Sequence, residues 1–315
     1  MTGKVLILGA KGRFGRAARS SFYKAGWDVL AFGRNWPDMD GPGRVISGDA
    51  FDKEVLIGAA MGCDVIVNAL NPPYPKWTRD LPRLTEAVIA AAKASGATVL
   101  IPGNVYNYGE EMPPLLTEAT PHKPTTRKGT LREEMEERFA QAGDEGVQTI
   151  ILRAGDFIEA EKTGNWFDTY VAAKVGEGKL SYPGPLDRMH AWAYLPDMAR
   201  AAVGLAEKRA RLGTFCCFGF ESINLTGAEL IATIETVTGQ SMKVSSMPWP
   251  IIRLLSVINP MMREVVEMAY LWRVPHAIDG RKLSSTLPDF EHTPIENALT
   301  QALGTTPQIW RQAAE

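Results

Sequence analysis

Scarcity narrows the reading of this chain before any motif is considered. Only 3 cysteines occur in 315 residues, with Cys216 and Cys217 adjacent and Cys63 distant, so no disulfide framework can be built. A reducing, cytoplasmic setting is expected. Histidine is nearly as rare: His122, His190, His276 and His292 are scattered without metal-ligand spacing, and no metal is expected. Charge of one sign is missing too, with 34 Lys plus Arg against 36 Asp plus Glu and a formal net charge of −2. That balance gives no reason to expect nucleic acid or an anionic membrane as a partner. No stretch of eighteen or more residues is continuously apolar, and no basic segment followed by an apolar one stands at the start, so neither a membrane span nor a secretory signal is expected. Repeats and low-complexity segments are also lacking.

What is present begins at Lys4. The apolar run Lys4-Val5-Leu6-Ile7-Leu8 ends in Gly9-Ala10-Lys11-Gly12-Arg13-Phe14-Gly15, and a helical stretch follows from Arg16 to about Ala25. Strand, glycine turn and helix start in direct succession are the context in which a Gly-rich motif carries information. Gly9 lets the chain turn off the strand, and Gly12 leaves the main chain open to a pyrophosphate. Gly15 permits close helix–strand packing, and the unpaired N–H groups of the helix start suit phosphate charge.

Apolar strands and helical segments then alternate. Strands are expected at Trp27–Phe32, Arg44–Ser47, Asp64–Asn68, Thr98–Ile101 and Val147–Leu152, with helices at Asp52–Met61, Leu81–Ser95 and Thr126–Ala142. This predicts an α/β fold, a Rossmann-type doubly wound parallel sheet over residues 1–155. Residues 191–222 are expected to return to that sheet, through a helix from Pro196 to Lys208 and the run Phe215–Phe218. Residues 156–190 and 223–315 read as a smaller C-terminal substrate-binding domain, with a capped helix over Thr226–Gly239. Between 245 and 275, Met, Trp, Ile and Leu concentrate in short helices that either bury one face or line an adaptable apolar pocket.

With its G-x-x-G-x-x-G spacing the chain resembles the extended and atypical branches of the short-chain dehydrogenase/reductase superfamily, among them the NAD-dependent epimerase/dehydratase-like proteins. The resemblance implies a nicotinamide dinucleotide bound by Gly9, Lys11, Gly12, Arg13, Phe14 and Gly15. The second strand ends in Gly33-Arg34-Asn35 with no acid before Asp38, so Arg34 is placed to meet a 2′-phosphate and NADP is expected over NAD. Asp49, the segment Asn68-Ala69-Leu70, and Gly103-Asn104 are similar to the family's adenine, ribose and nicotinamide-ribose contacts. The late segment from Trp192 to Asp197 looks like the one that closes over substrate.

The catalytic pair breaks the resemblance. The register set by Glu118, Pro121, Pro124 and Gly129 puts Lys128 where the family has the Tyr of Tyr-x-x-x-Lys, and Arg132 where it has the Lys. Lys128 is then either an unusual acid/base or, with Arg132, an exposed or cofactor-contacting cation on a charged helix face. Tyr106, Tyr108 and His190 are the other candidate catalytic residues. Asn104, Trp166, His190, Trp192 and Trp249 are the expected walls of a substrate pocket. Two functions compete: an oxidoreductase or epimerase-like enzyme acting on a small carbonyl or hydroxyl compound, and a non-catalytic NADP-dependent sensor. A homodimer through helices 81–95 and 126–142 is implied by the resemblance alone.

Overall fold

Apolar strands long enough to cross a core, each followed by an amphipathic helix, leave a parallel sheet covered on both faces as the arrangement that buries everything. The computed structural model, which describes residues 3–34 and 41–304, has that arrangement. Seven strands, β1 Lys4–Leu8, β2 Asp28–Gly33, β3 Arg44–Ser47, β4 Val65–Asn68, β5 Thr98–Gly103, β6 Thr149–Arg153 and β7 Phe215–Gly219, lie side by side in the order β7-β6-β5-β4-β1-β2-β3. Every neighbouring pair is parallel. Asn35 and Asp38 lie outside the described residues.

Two helices, α1 Arg13–Lys24 and α5 Leu195–Lys208, cover one face with the odd-numbered side chains of β1, Val5 and Ile7. Three more, α2 Lys53–Ala60, α3 Trp77–Ser95 and α4 Arg127–Gln141, cover the other with Leu6 and Leu8. Their starts are fixed locally. The Asp52 carboxylate accepts from the Val55 N–H, and the Thr126 hydroxyl accepts from the Gly129 N–H, each cap stabilising its helix by about 1 kcal/mol. The largest boundary differences from the sequence reading are at two helices: α1 starts at Arg13, with Gly12 as its cap, and α3 starts a turn early at Trp77 and carries Pro82 inside it.

Beyond Arg153 the chain builds a second, smaller body. Residues 156–158, 189–194 and 223–226 form a three-stranded sheet, and helix α6 Gly227–Thr238 begins with a complete capping box between Thr226 and Glu229. The expected return to the main sheet therefore begins at Leu195 rather than 191, because Met189–Tyr194 pairs within the cap. Helices α7 Trp249–Ser256 and α8 Pro260–Glu267 complete it. Ile252 is buried, Ile251, Leu254, Val257 and Ile258 stay exposed, and one side of α8 turns to the main body. The 245–275 segment thus both packs and lines a cleft. No described helix is long and apolar enough to cross a membrane.

Candidate functional site

The strand order reverses between β1 and β4, and the chain leaves both strands there in close approach. Gly9 sits at φ +68°, and a Cβ on it would stand 2.5 Å from the Ala69 carbonyl oxygen. Gly15, in the first turn of α1, packs so tightly that a Cβ would collide with the Gly9 carbonyl. Gly12 differs. A Cβ there would meet little besides the Gly9 carbonyl, at 3.1 Å. Gly12 caps α1 without any side-chain hydrogen bond, and the first turn holds no acid. An open main chain with uncapped N–H groups at a switch point is what the pyrophosphate of a dinucleotide needs, so these residues fit that cofactor.

A cleft of about 1120 Å³ opens from this turn. Gly9, Lys11, Gly12, Arg13 and Phe14 border it, with Arg34, Asp49, Asn68, Ala69, Leu70, Gly103 and Asn104 further along; Gly15 lies behind the turn as packing. The exposed Arg34 guanidinium is 3.9 Å from Asp49, and Lys11 Nζ donates to the Arg34 carbonyl at 3.4 Å. Arg13 is tied to the cap instead: its Nε donates to Thr163 Oγ1 at 2.8 Å and lies 3.7 Å from Glu159. Arg16 adds a 3.0 Å ion pair with Glu161, so one loop of the cap is strapped across the start of α1.

Past Asn104 the same cleft continues between the two bodies, where Tyr74, Tyr106, Arg132, Asp156, Trp166 and His276 share its wall with Val265, Met268 and Leu271. Burial first, then the neighbouring Tyr74 and Asp156, pushes the Tyr106 phenol well above its ordinary value. It stays protonated at neutral pH and can donate a hydrogen bond. Asp156 Oδ2 lies 2.9 Å from Nε2 of His190, within hydrogen-bond distance. Burial and the adjacent His190 press His276 down to about 3, so it is neutral; its Nδ1 lies 2.9 Å from the Val274 carbonyl.

Several expected residues stand elsewhere. Lys128 has no exposed surface and is not part of the cleft wall. Its ammonium lies 2.5 Å from Glu264 Oε2 and donates to Glu267 at 2.8 Å and to the Glu264 carbonyl at 3.1 Å. This corrects the expectation of a free acid/base or a cofactor-contacting cation there: the side chain fastens α4 to α8. Tyr108 is also absent from the wall, with Arg153 stacked 5.2 Å over its ring and burial raising its phenol to about 12. His190, Trp192 and Trp249 form a layer behind the wall. His190 stacks on Trp272 at 4.2 Å, Trp192 lies in the cap core, and Trp249 sits 6.5 Å from Trp166 and donates to the Pro183 carbonyl. Of the predicted pocket walls, Asn104 and Trp166 border the cleft directly. Among the described residues no group of acids, histidines and cysteines could hold a metal.

Sequence reasoning missed Tyr74, Asp156 and His276. Asp156 had a legible signal, since it follows β6 at the carboxyl edge where ligands of such sheets bind. Tyr74 and His276 had none, because their loops reach the cleft through tertiary packing.

Comparison with known proteins agrees with this geometry. A family model described as NAD(P)H-binding matches residues 9–181, more than half of the chain. A 3-diazoavenalumate denitrifying reductase from a Streptomyces species is 27% identical over 225 residues, which cover 66% of this chain and 73% of that one. Among solved structures, a nucleoside-diphosphate-sugar epimerase from Pseudomonas aeruginosa superposes with a TM-score of 0.76 at 18% identity, over 96% of this chain and 97% of that one. UDP-glucose 4-epimerase from Brucella ovis, solved in complex with NAD, gives 0.74 at 15% identity, over 96% and 98%. The chain therefore belongs to the NAD(P)H-binding family and shares the Rossmann-type fold of these epimerases.

Proposed function

We propose that this protein is an NAD(P)H-dependent reductase of a small organic molecule, with NADPH preferred. The observation that carries the reading is the continuity of the cleft from the glycine turn past Asn104 into a chamber walled by both bodies. Its volume, about 1120 Å³, exceeds the roughly 300–1,000 Å³ of a typical single-ligand pocket and leaves room for a second molecule beside a dinucleotide. A pure nucleotide sensor has less need of that chamber.

A bound nicotinamide would supply a hydride. The chain's own residues decide what accompanies it. Tyr106 donates a hydrogen bond to a substrate oxygen, because its raised phenol does not surrender its proton readily. Asp156 faces this part of the cleft with His190 Nε2 2.9 Å behind it, a relay through which a proton can pass to the substrate. The similarity to a reductase of a diazo compound favours reduction over sugar epimerisation. Hydride delivered to a centre whose leaving group departs as a neutral molecule creates no alkoxide, so such chemistry tolerates loss of the Tyr-x-x-x-Lys pair.

The test is incubation with NADPH and a panel of aldehydes, ketones, enones and aryl diazo compounds, following the nicotinamide absorbance. Oxidation of NADPH dependent on one acceptor class supports the reading. No oxidation across the panel, together with NADPH-dependent capture of a protein partner, would replace it with the sensor reading.

A further inference from the structure

Lys128 and Arg132 lie one turn apart on α4 and meet opposite fates. Two carboxylates neutralise Lys128, whereas Arg132 has no carboxylate within ion-pair distance among the described residues. The Nε of Arg132 is shut off from solvent with no hydrogen-bond partner, and Nη1 reaches only the Met135 sulfur, at 3.8 Å. The guanidinium lies 4.8 Å over the Trp77 ring. Glu136, one turn further along α4, is committed through both oxygens to Arg153, at 3.1 and 2.6 Å. A partly buried cation without its anion is unfavourable, and the guanidinium fork is shaped to take a carboxylate through two parallel hydrogen bonds.

Arg132 borders the cleft together with Tyr74 and Tyr106. It projects from the helix that leads into β6, whereas the phosphate-binding turn lies at the ends of β1 and β4. We propose that Arg132 is the subsite for a carboxylate on the substrate, flanked by the Tyr74 and Tyr106 hydroxyls, and that the substrate class is a small organic acid with an apolar body. Val265, Met268 and Leu271 supply the apolar wall for that body. This rests on the reading of the chamber as a substrate site.

Titration calorimetry on the full chain tests it, with benzoate and cinnamate as probes and their primary amides as neutral matches, each with and without saturating NADP⁺. The acids are expected to bind at least about tenfold more tightly than the amides, since one charge-assisted bidentate contact separates them. Arg132→Met should erase that preference while NADP⁺ affinity stays within about twofold. Arg132→Lys, which keeps the charge and loses the fork, should retain part of the preference and guards against a misfolded Met variant. Equal binding of acids and amides to the wild type, or no binding of either acid, overturns the proposal. So does an Arg132→Met variant that keeps the acid preference and loses NADP⁺ instead. Failure of the wild type to bind NADP⁺ would strike the reductase reading separately, because the acid–amide comparison is also made without the nucleotide.

Discussion

The carboxylate of Asp156 borders the cleft while its partner His190, 2.9 Å away, does not. His190 is enclosed by Trp192, Trp272 and His276, with the ring of Trp272 parallel to its own at 4.2 Å. A buried imidazole fixed against a cleft-facing carboxylate sets the orientation of that carboxylate. Asp156→Asn keeps the shape and one acceptor but can no longer take up or pass on a proton. For a carbonyl acceptor it should lower kcat by about 10²–10³-fold with the NADPH dissociation constant nearly unchanged. Steady-state kinetics beside a direct NADPH titration checks this, and a loss confined to KM would refute a proton-transfer role.

Lys128→Met should act on stability first. The substitution leaves Glu264 and Glu267 side by side without their cation, in a site where Glu264 is buried, and removing one partner of a buried pair costs about 3–5 kcal/mol. Arg127, 2.5 Å from Glu264, offsets part of that. Urea unfolding should show the loss directly. Since α8 forms part of the chamber wall, activity should fall through a raised KM, and the double variant Lys128→Met with Glu267→Gln should recover stability.

Acid should destabilise the protein through His276. Its folded value of about 3 lies below the ordinary 6.5, so the unfolded chain binds a proton that the folded chain refuses. The stabilisation is complete above about 6.5 and is lost as pH falls from there toward 3, at up to roughly 1.4 kcal/mol per pH unit. His122 and His292 are shifted the same way by burial and add to the slope. His276→Asn, whose amide can keep the bond to the Val274 carbonyl, should reduce the dependence of unfolding free energy on pH between 5 and 6.5. Carboxylates remain largely ionised in that window. Identical slopes for variant and wild type would show that His276 is protonated in the folded protein.

The α/β framework was legible because its signals are local. Alternating apolar runs, the caps Asp52, Thr126 and Thr226, and the glycine turn each act within a few residues, and each is found in place. Apart from Gly15, the residues expected around the glycine turn share one cleft for the same reason. The substrate end was not legible, since its character depends on which cation of α4 is neutralised, and the neutralising Glu264 and Glu267 arrive from a distant helix. Lys128 and Arg132 share one helical face, and nothing nearby in sequence distinguishes them. His190 and Trp192 likewise share one face of a strand, and the sequence does not say that this face turns into the cap core rather than toward the cleft.

Nucleotide choice should turn on Arg34. β2 ends in Gly33 with Arg34 directly after it, and the acid that pairs with Arg34 among the described residues, Asp49, stands 3.9 Å from the guanidinium, too far to occupy it fully. Both side chains are well exposed, so the contact is screened and a moderate preference is expected: NADPH tighter than NADH by about tenfold, weakening as salt rises. Arg34→Ser should bring the two affinities together by weakening NADPH alone. Gly12→Val provides the control for the shared pyrophosphate site. Its Cβ would meet only the Gly9 carbonyl at 3.1 Å and Ala69 at 4.0 Å, so the fold should survive while both nucleotides are excluded. Gly15→Val, by contrast, drives a side chain into the Gly9 backbone and should lower the melting temperature. Fluorescence titration with both nucleotides, run beside thermal unfolding, separates the three variants. Tighter NADH than NADPH in the wild type would remove Arg34 from the cofactor site.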